Sequence, residues 1–206
     1  MKNKKQLMTL IIACIVSVSI FSEIYAKETA NNKPNVIIVI TDDQGMGDLA
    51  CHGNPYIKTP GLDDFYEESV RFTNFHVSTT CAPTRGSLMT GRHTNRLNVF
   101  HTITGRSLLW EDEVILPQVF AQNGYINGMF GKWHLGDNYP FRPEDRGFDE
   151  AIWFPSSHIN SVPDYWNNDY FDDTYIDNGQ REKFEGYSAD VFFREAFGFG
   201  SPDIVL

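Results

Sequence analysis

The segment Asn35-Val-Ile-Ile-Val-Ile-Thr41 constrains this chain more than any other, because it is apolar on both faces instead of alternating. A strand of that kind belongs inside a parallel sheet covered on both sides. It runs directly into Asp42-Asp43. In open α/β sheets, sites form outside the carboxyl ends of strands, so two acids there are functional candidates, with solvated turn acids as the competing reading. The arrangement recurs. Phe72 to Val77 reads as a second strand leading through Ser78-Thr79-Thr80 to Cys81, and a strand around Tyr125 to Phe130 leads to Gly131-Lys132-Trp133-His134-Leu135-Gly136. Three polar loops at strand ends, able to converge on one edge of one sheet, support a doubly wound α/β fold.

Helices fall between these strands. Thr59-Pro60 supplies a cap and a first-turn proline, and Leu62, Phe65, Tyr66 and Val70 keep helical spacing, which predicts a helix over about 60–70. Pro83 suits an early helical turn, so Cys81 is expected at or just before a helix N-terminus. A further helix covers roughly Leu116 to Asn123 and stops at Gly124. From Trp153 to Tyr187 the composition shifts to aromatics, Asp and Asn, with a hairpin turn expected at Asp177-Asn178-Gly179. Ser188 is expected to cap a last helix through about Phe197. There is no internal repeat or low-complexity tract.

Lys2, Lys4 and Lys5 precede an apolar run from Leu7 to Phe21 that ends near Ile24-Tyr25-Ala26. That is the pattern of a secretory signal peptide over residues 1–26, with a lipidated Cys14 after Ile11-Ile12-Ala13 as the minor alternative. The run is too short for a stable membrane anchor. The expected location is secreted or periplasmic. Loss of 1–26 removes three lysines and Glu23, shifting the formal net charge from −10 to −12. So acidic a chain is a poor partner for nucleic acid. To handle an anionic substrate it needs a metal or a few placed cations. Cleavage also leaves two cysteines, Cys51 and Cys81, in a compartment that permits disulfides, so a Cys51–Cys81 bridge is the expectation by count. The ~180 remaining residues allow one domain or part of one.

Gly45-Met46-Gly47-Asp48-Leu49-Ala50 fits G-x-G-x-x-A, a dinucleotide pattern. Asp42 and Asp43 stand between strand and glycines, where they would repel a pyrophosphate, so a tight turn is the better reading. The segment Cys81-Ala82-Pro83-Thr84-Arg85 is more specific. Taken singly, its residues read as a buried or disulfide cysteine, a helix starter and a surface cation. Taken with Gly86 and the earlier Asp-Asp pair, Cys-x-Pro-x-Arg resembles the type I sulfatases of the alkaline phosphatase superfamily. The resemblance extends through Thr90-Gly91-Arg92 and Gly131-Lys132-Trp133-His134-Leu135-Gly136.

That resemblance implies an alkaline phosphatase-like α/β fold, a mixed, mostly parallel sheet flanked by helices, and hydrolysis of sulfate monoesters. It implies that a formylglycine-generating enzyme, as a transient partner, oxidises Cys81 to formylglycine, which would rule out a Cys81 disulfide in the mature form. A hydrated aldehyde carries two hydroxyls on one carbon, so one attacks sulfur and the other, on losing its proton, later expels sulfate. Serine lacks the second hydroxyl. By the same resemblance Asp42, Asp43 and the modified Cys81 bind a divalent metal, normally calcium, whose hard charge suits oxygen ligands and screens the substrate. Arg85 would stabilise the hydrated side chain. Lys132 would hold the sulfate oxygens and His134 the nucleophile's hydroxyl, and alternation in an extended segment would point both the same way.

His52, His76, His93, His101 and His158 lack metal-ligand spacing and default to packed or solvent-facing roles. Trp153, Tyr165, Trp166, Tyr170 and Tyr175 suit either stacking on a substrate or packing. Residues 27–206 match the N-terminal part of the sulfatase catalytic domain, and the pattern's later acid and amide pair, second histidine and second lysine have no matching positions here. Residues 27–206 alone are therefore expected to fold weakly and show little activity. The substrate is expected to be a sulfate ester of a small molecule or carbohydrate. Alternatives are a related phosphomonoesterase or phosphodiesterase, or a noncatalytic secreted fragment.

Overall fold

The computed structural model describes residues 33–103 and 106–199, and the chain divides into two compact units, with the boundary in sequence between Lys58 and Thr59. The expected signal peptide over residues 1–26, with Cys14, lies outside the described residues. Among the described residues no helix is long and apolar enough to cross a membrane.

In the second unit, four strands form one sheet in the order β1 (Gly128–Lys132), β2 (Glu150–Phe154), β3 (Thr174–Asp177), β4 (Gln180–Lys183). β1 and β2 are parallel, with Gly128 opposite Glu150 and Lys132 opposite Phe154. β2–β3 and β3–β4 are antiparallel. The fold is thus mixed α/β, with the parallel pair at the end that carries the glycine-bounded motif. β3 and β4 are joined at Asn178 and Gly179, both at positive φ (45° and 84°), as a two-residue hairpin requires. The expected turn is present.

Helices α1 (Pro60–Glu68), α2 (Cys81–Thr90), α3 (Leu116–Gln122) and α4 (Ser188–Gly198) lie close to their expected positions. Ser188 is the first residue of α4 and not its cap, because Tyr187 occupies that place without a side-chain bond and the Ser188 N–H donates to the Tyr170 carbonyl. Alternation along β2 divides the core. Ala151 and Trp153 pack with Ala82, Leu97, Val99, Ile115, Trp133 and Leu135, whereas Ile152 and Phe154 pack with Tyr175 and Val191. α4 lies against β1.

Three strand expectations change. Residues 35–41 form no strand among the described residues, and Val36 to Ile40 are exposed, Ile37 at 84%. Apolar, β-branched composition gives a preference, but a strand exists only through its ladder, and no described segment pairs with this one. Residues 72–77 form none either: Thr73-Asn74 make a turn, and Asn74 Oδ1 bonds the His76 ring, so local polar contacts replace a ladder. The strand expected over 125–130 instead spans Gly128–Lys132. Tyr125 N–H is taken by the Phe120 carbonyl and Asn127 N–H by the Asp149 carboxylate, leaving those residues outside the sheet.

Within the first unit, the glycine-rich segment folds as two short 3-10 turns, Met46–Asp48 and Ala50–His52, with Asp48 Oδ2 accepting from Gly45 N–H at 2.7 Å. No α-helix begins there, as expected for a tight turn and not a dinucleotide loop.

Candidate active site

Cys81 is the first helical residue of α2, after an extended Thr80. Pro83 falls in the first turn, where its missing N–H leaves no bond unmade, so the segment starts a helix as its sequence expects. Ala82, Pro83 and Gly86 face the core. A side chain at Gly86 would meet Val99 Cβ at 3.4 Å and Leu97 Cδ1 at 3.5 Å, so the glycine brings the helix close to that wall. Cys81 and Arg85, one turn apart, share the helix face that meets the end of β1. Arg85 Nη1 donates to the Lys132 carbonyl at 2.5 Å, and Cys81 Sγ lies 3.4 Å from His134 Nδ1.

The glycine-bounded motif explains how β1 reaches that helix. Trp133 continues one bond beyond the strand, its N–H donating to Phe154 O at 3.2 Å, while its buried indole donates to Phe141 O at 2.8 Å. His134 then turns into the left-handed region at φ 58°. Alternation therefore does not extend to His134: a turn, not the pleat, aims its imidazole at Cys81. Gly136 has φ 133°, and a Cβ there would sit 2.3 Å from Phe141 Cβ, so both conformation and space demand glycine. Lys132 and His134 are 8% and 5% exposed.

The hydrogen bonds fix the tautomer of His134. Nε2 lies 3.0 Å from the Thr102 carbonyl, which can only accept, so Nε2 carries the proton. In the neutral ring Nδ1 is then an acceptor aimed at residue 81. Cys81 Sγ holds the place of whatever atom is bonded to Cβ of that residue, and a hydroxyl there would donate to Nδ1 as the thiol does. Thr102 was not foreseen from sequence, because its contribution is a backbone carbonyl that any residue supplies.

The acids proposed for a metal, Asp42 and Asp43, lie in the first unit and are exposed, with Asp43 at φ 58°. Their oxygens suit a hard cation in kind, but two carboxylates fall short of the roughly six to eight oxygens calcium takes. Among the described residues no group of three or more His, Cys, Asp or Glu could hold a metal. The described residues therefore do not make up a calcium shell. Cys51 and Cys81 are not joined in a disulfide.

The remaining histidines bond locally, as their default reading expects: His52 Nδ1 to the Met46 carbonyl at 2.6 Å, His93 Nδ1 to Asn95 N–H at 3.3 Å, His158 Nδ1 to Ser157 Oγ at 3.0 Å. Trp153 and Tyr175 are core residues. Tyr165 lies under the Arg181 guanidinium at 5.1 Å, and Trp166 is 86% exposed.

The sulfatase family model matches residues 34–203. Arylsulfatase G of Canis lupus familiaris is 42% identical over 134 residues, covering 64% of this chain and 25% of that protein. Human arylsulfatase A is 39% identical over 131 residues, covering 61% and 26%. The crystal structure of Ps i-CgsB in complex with k-i-k-neocarrahexaose superposes with a TM-score of 0.70 at 26% identity, over 82% of this chain and 41% of that one. BT4656 in complex with its substrate D-glucosamine-2-N,6-O-disulfate gives a TM-score of 0.66 at 28% identity, over 82% and 31%. This chain belongs to the sulfatase family. It spans about a quarter of the length of the curated relatives it matches.

Proposed function

We propose that this chain carries the nucleophile side of a site that hydrolyses sulfate monoesters. The observation that carries the proposal is the contact of Cys81 Sγ with the acceptor nitrogen of His134, beside an arginine and a buried lysine. When Cys81 is oxidised by a formylglycine-generating enzyme, the hydrated aldehyde supplies a hydroxyl nucleophile that a thiol does not. His134 Nδ1 takes that hydroxyl's proton, with Nε2–H kept on Thr102 throughout. Arg85 holds residue 81 and the end of β1 in fixed relation. Lys132 binds the sulfate oxygens and offsets their charge. The N-terminus of α2 adds its partial positive charge at the same place.

In this reading Asp42 and Asp43 would supply only two of the oxygen ligands of a divalent metal such as calcium, whose charge suits an anionic substrate. The substrate class is a sulfated carbohydrate or small molecule, supported by the sulfated sugar bound to BT4656. Residues 1–26 direct the chain to the periplasm or the exterior. Peptide mass spectrometry across Cys81, on full chain from a host that makes formylglycine, tests the reading. The expected product has the thiol replaced by an aldehyde. An intact thiol would sink the assignment.

A further inference from the structure

We infer that His101 is a positioning residue that sets the tautomer of His134 by fixing one peptide plane. The inference builds on the proposed role of His134, but its geometry is independent of that role. His134 Nε2 is held by the Thr102 carbonyl, and that carbonyl shares its peptide unit with the Ile103 N–H. This peptide is not among the cis bonds of the described residues, so its C=O and N–H point in opposite directions. The Ile103 N–H donates to His101 Nδ1 at 3.3 Å, while the carbonyl on the other side receives His134 Nε2–H at 3.0 Å. The plane is thus gripped at both edges, by one histidine that accepts and another that donates.

The surrounding turn holds His101 in place to do this. Phe100 N–H and His101 N–H both donate to the Arg106 carbonyl at 3.2 Å, and Arg106 N–H donates to the Ile103 carbonyl at 2.9 Å. Thr102 Oγ1 also approaches His101 Nδ1 at 3.5 Å. A side-chain acceptor bonding the N–H two residues on is the contact that Asn and Asp make in turns. This chain uses it at Asn54, whose Oδ1 accepts from Tyr56 N–H at 2.9 Å, and at His93, whose Nδ1 accepts from Asn95 N–H.

Removing the acceptor at position 101 frees the plane to rotate. A rotated plane withdraws the carbonyl and offers His134 Nε2 an N–H donor in its place. The ring then favours the other tautomer, with the proton on Nδ1 facing Cys81, where it can no longer accept.

The test is a nitrogen-15 histidine spectrum of the full chain at one fixed pH, which reads the ring nitrogen that carries the proton, with His134 assigned from a His134→Gln sample. The parent is expected to show His134 protonated at Nε2. His101→Ala, and His101→Phe, which keeps ring bulk without an acceptor, are expected to shift it to a mixture or to the Nδ1–H form. His101→Asn is expected to restore Nε2–H, which a merely structural role for the ring does not predict. Retention of Nε2–H in His101→Phe would overturn the inference, as would failure of His101→Asn to restore it. The readout requires neither oxidised Cys81 nor turnover, so an unoxidised Cys81 would remove the proposed activity and leave this result standing.

Discussion

His134 presents Nδ1 to Cys81 at 3.4 Å, across a separation of 53 residues in sequence. A base so placed is expected to contribute about 10²- to 10⁴-fold to a proton-transfer step. Under the proposed function, whatever sulfate release oxidised protein shows from an aryl sulfate should fall by that factor in His134→Ala. Activity within about threefold of the parent, a small fraction of the usual contribution, would remove His134 from the mechanism.

Arg85 ties the helix bearing Cys81 to the last residue of β1. Hydrogen bonds from charged donors contribute about 1.5–3 kcal/mol, and an orphaned carbonyl adds its own desolvation cost. Arg85→Met should lower the urea midpoint by a corresponding amount and speed amide exchange at Trp133 and His134. An unchanged midpoint would mean that water replaces the bond.

Gly136→Ala combines an unfavourable φ of 133° with a Cβ 2.3 Å from Phe141 Cβ. Backbone strain of about 1–2 kcal/mol and overpacking of about 1–3 kcal/mol should together prevent stable folding or lower the melting temperature sharply. Gly53→Ala is the control, because its φ is 92° but nothing lies within 4 Å of the new Cβ. It should show the conformational cost alone.

Glu150 has a raised pKa, first through burial and then through Asp177 and Glu195. The folded chain thus binds its proton more tightly than the unfolded chain. Its stabilising contribution is fully present below the unfolded carboxyl range, near pH ~4, and is lost as pH rises through the raised folded value. Glu150→Gln should raise the thermal midpoint at neutral pH, with the gain disappearing on acidification. Asp145 behaves oppositely: its hydrogen bond with Arg142 lowers its pKa, so its contribution is present above the unfolded carboxyl range and is lost as pH falls through the lowered folded value.

Legibility followed the range of the interaction. Pro83, Pro60 and Asn178-Gly179 act on their own backbone, so the start of α2, the start of α1 and the β3–β4 turn could be read directly. Strand formation at 35–41 could not, since composition carries preference but not a partner. Lys132, His134, Arg85 and Cys81 stand out together in their motifs, and the structure sets Cys81 Sγ against His134 Nδ1 and the Arg85 guanidinium on the Lys132 backbone carbonyl. Alternation does not give the direction of His134, because a positive φ at a non-glycine residue leaves no mark in a one-dimensional pattern. The Arg92–Glu113 pair and the buried Arg146, which holds the Glu111 and Glu113 carbonyls, were also unforeseen. Nothing local distinguishes Arg146 from a surface arginine, and the Thr90-Gly91-Arg92 motif names Arg92 without naming its partner.

The pentapeptide at the head of α2 divides its labour by face: Ala82 and Pro83 are walled into the core while Cys81 and Arg85 meet the β1 end. A saturation screen scored on catalysis alone would mark all four positions as intolerant. Only a parallel score for soluble yield would separate them, with bulky replacements of Ala82 depleted in both and Arg85 variants retaining yield longer than turnover. Sequence logos of such a motif therefore mix two vocabularies, one chemical and one volumetric.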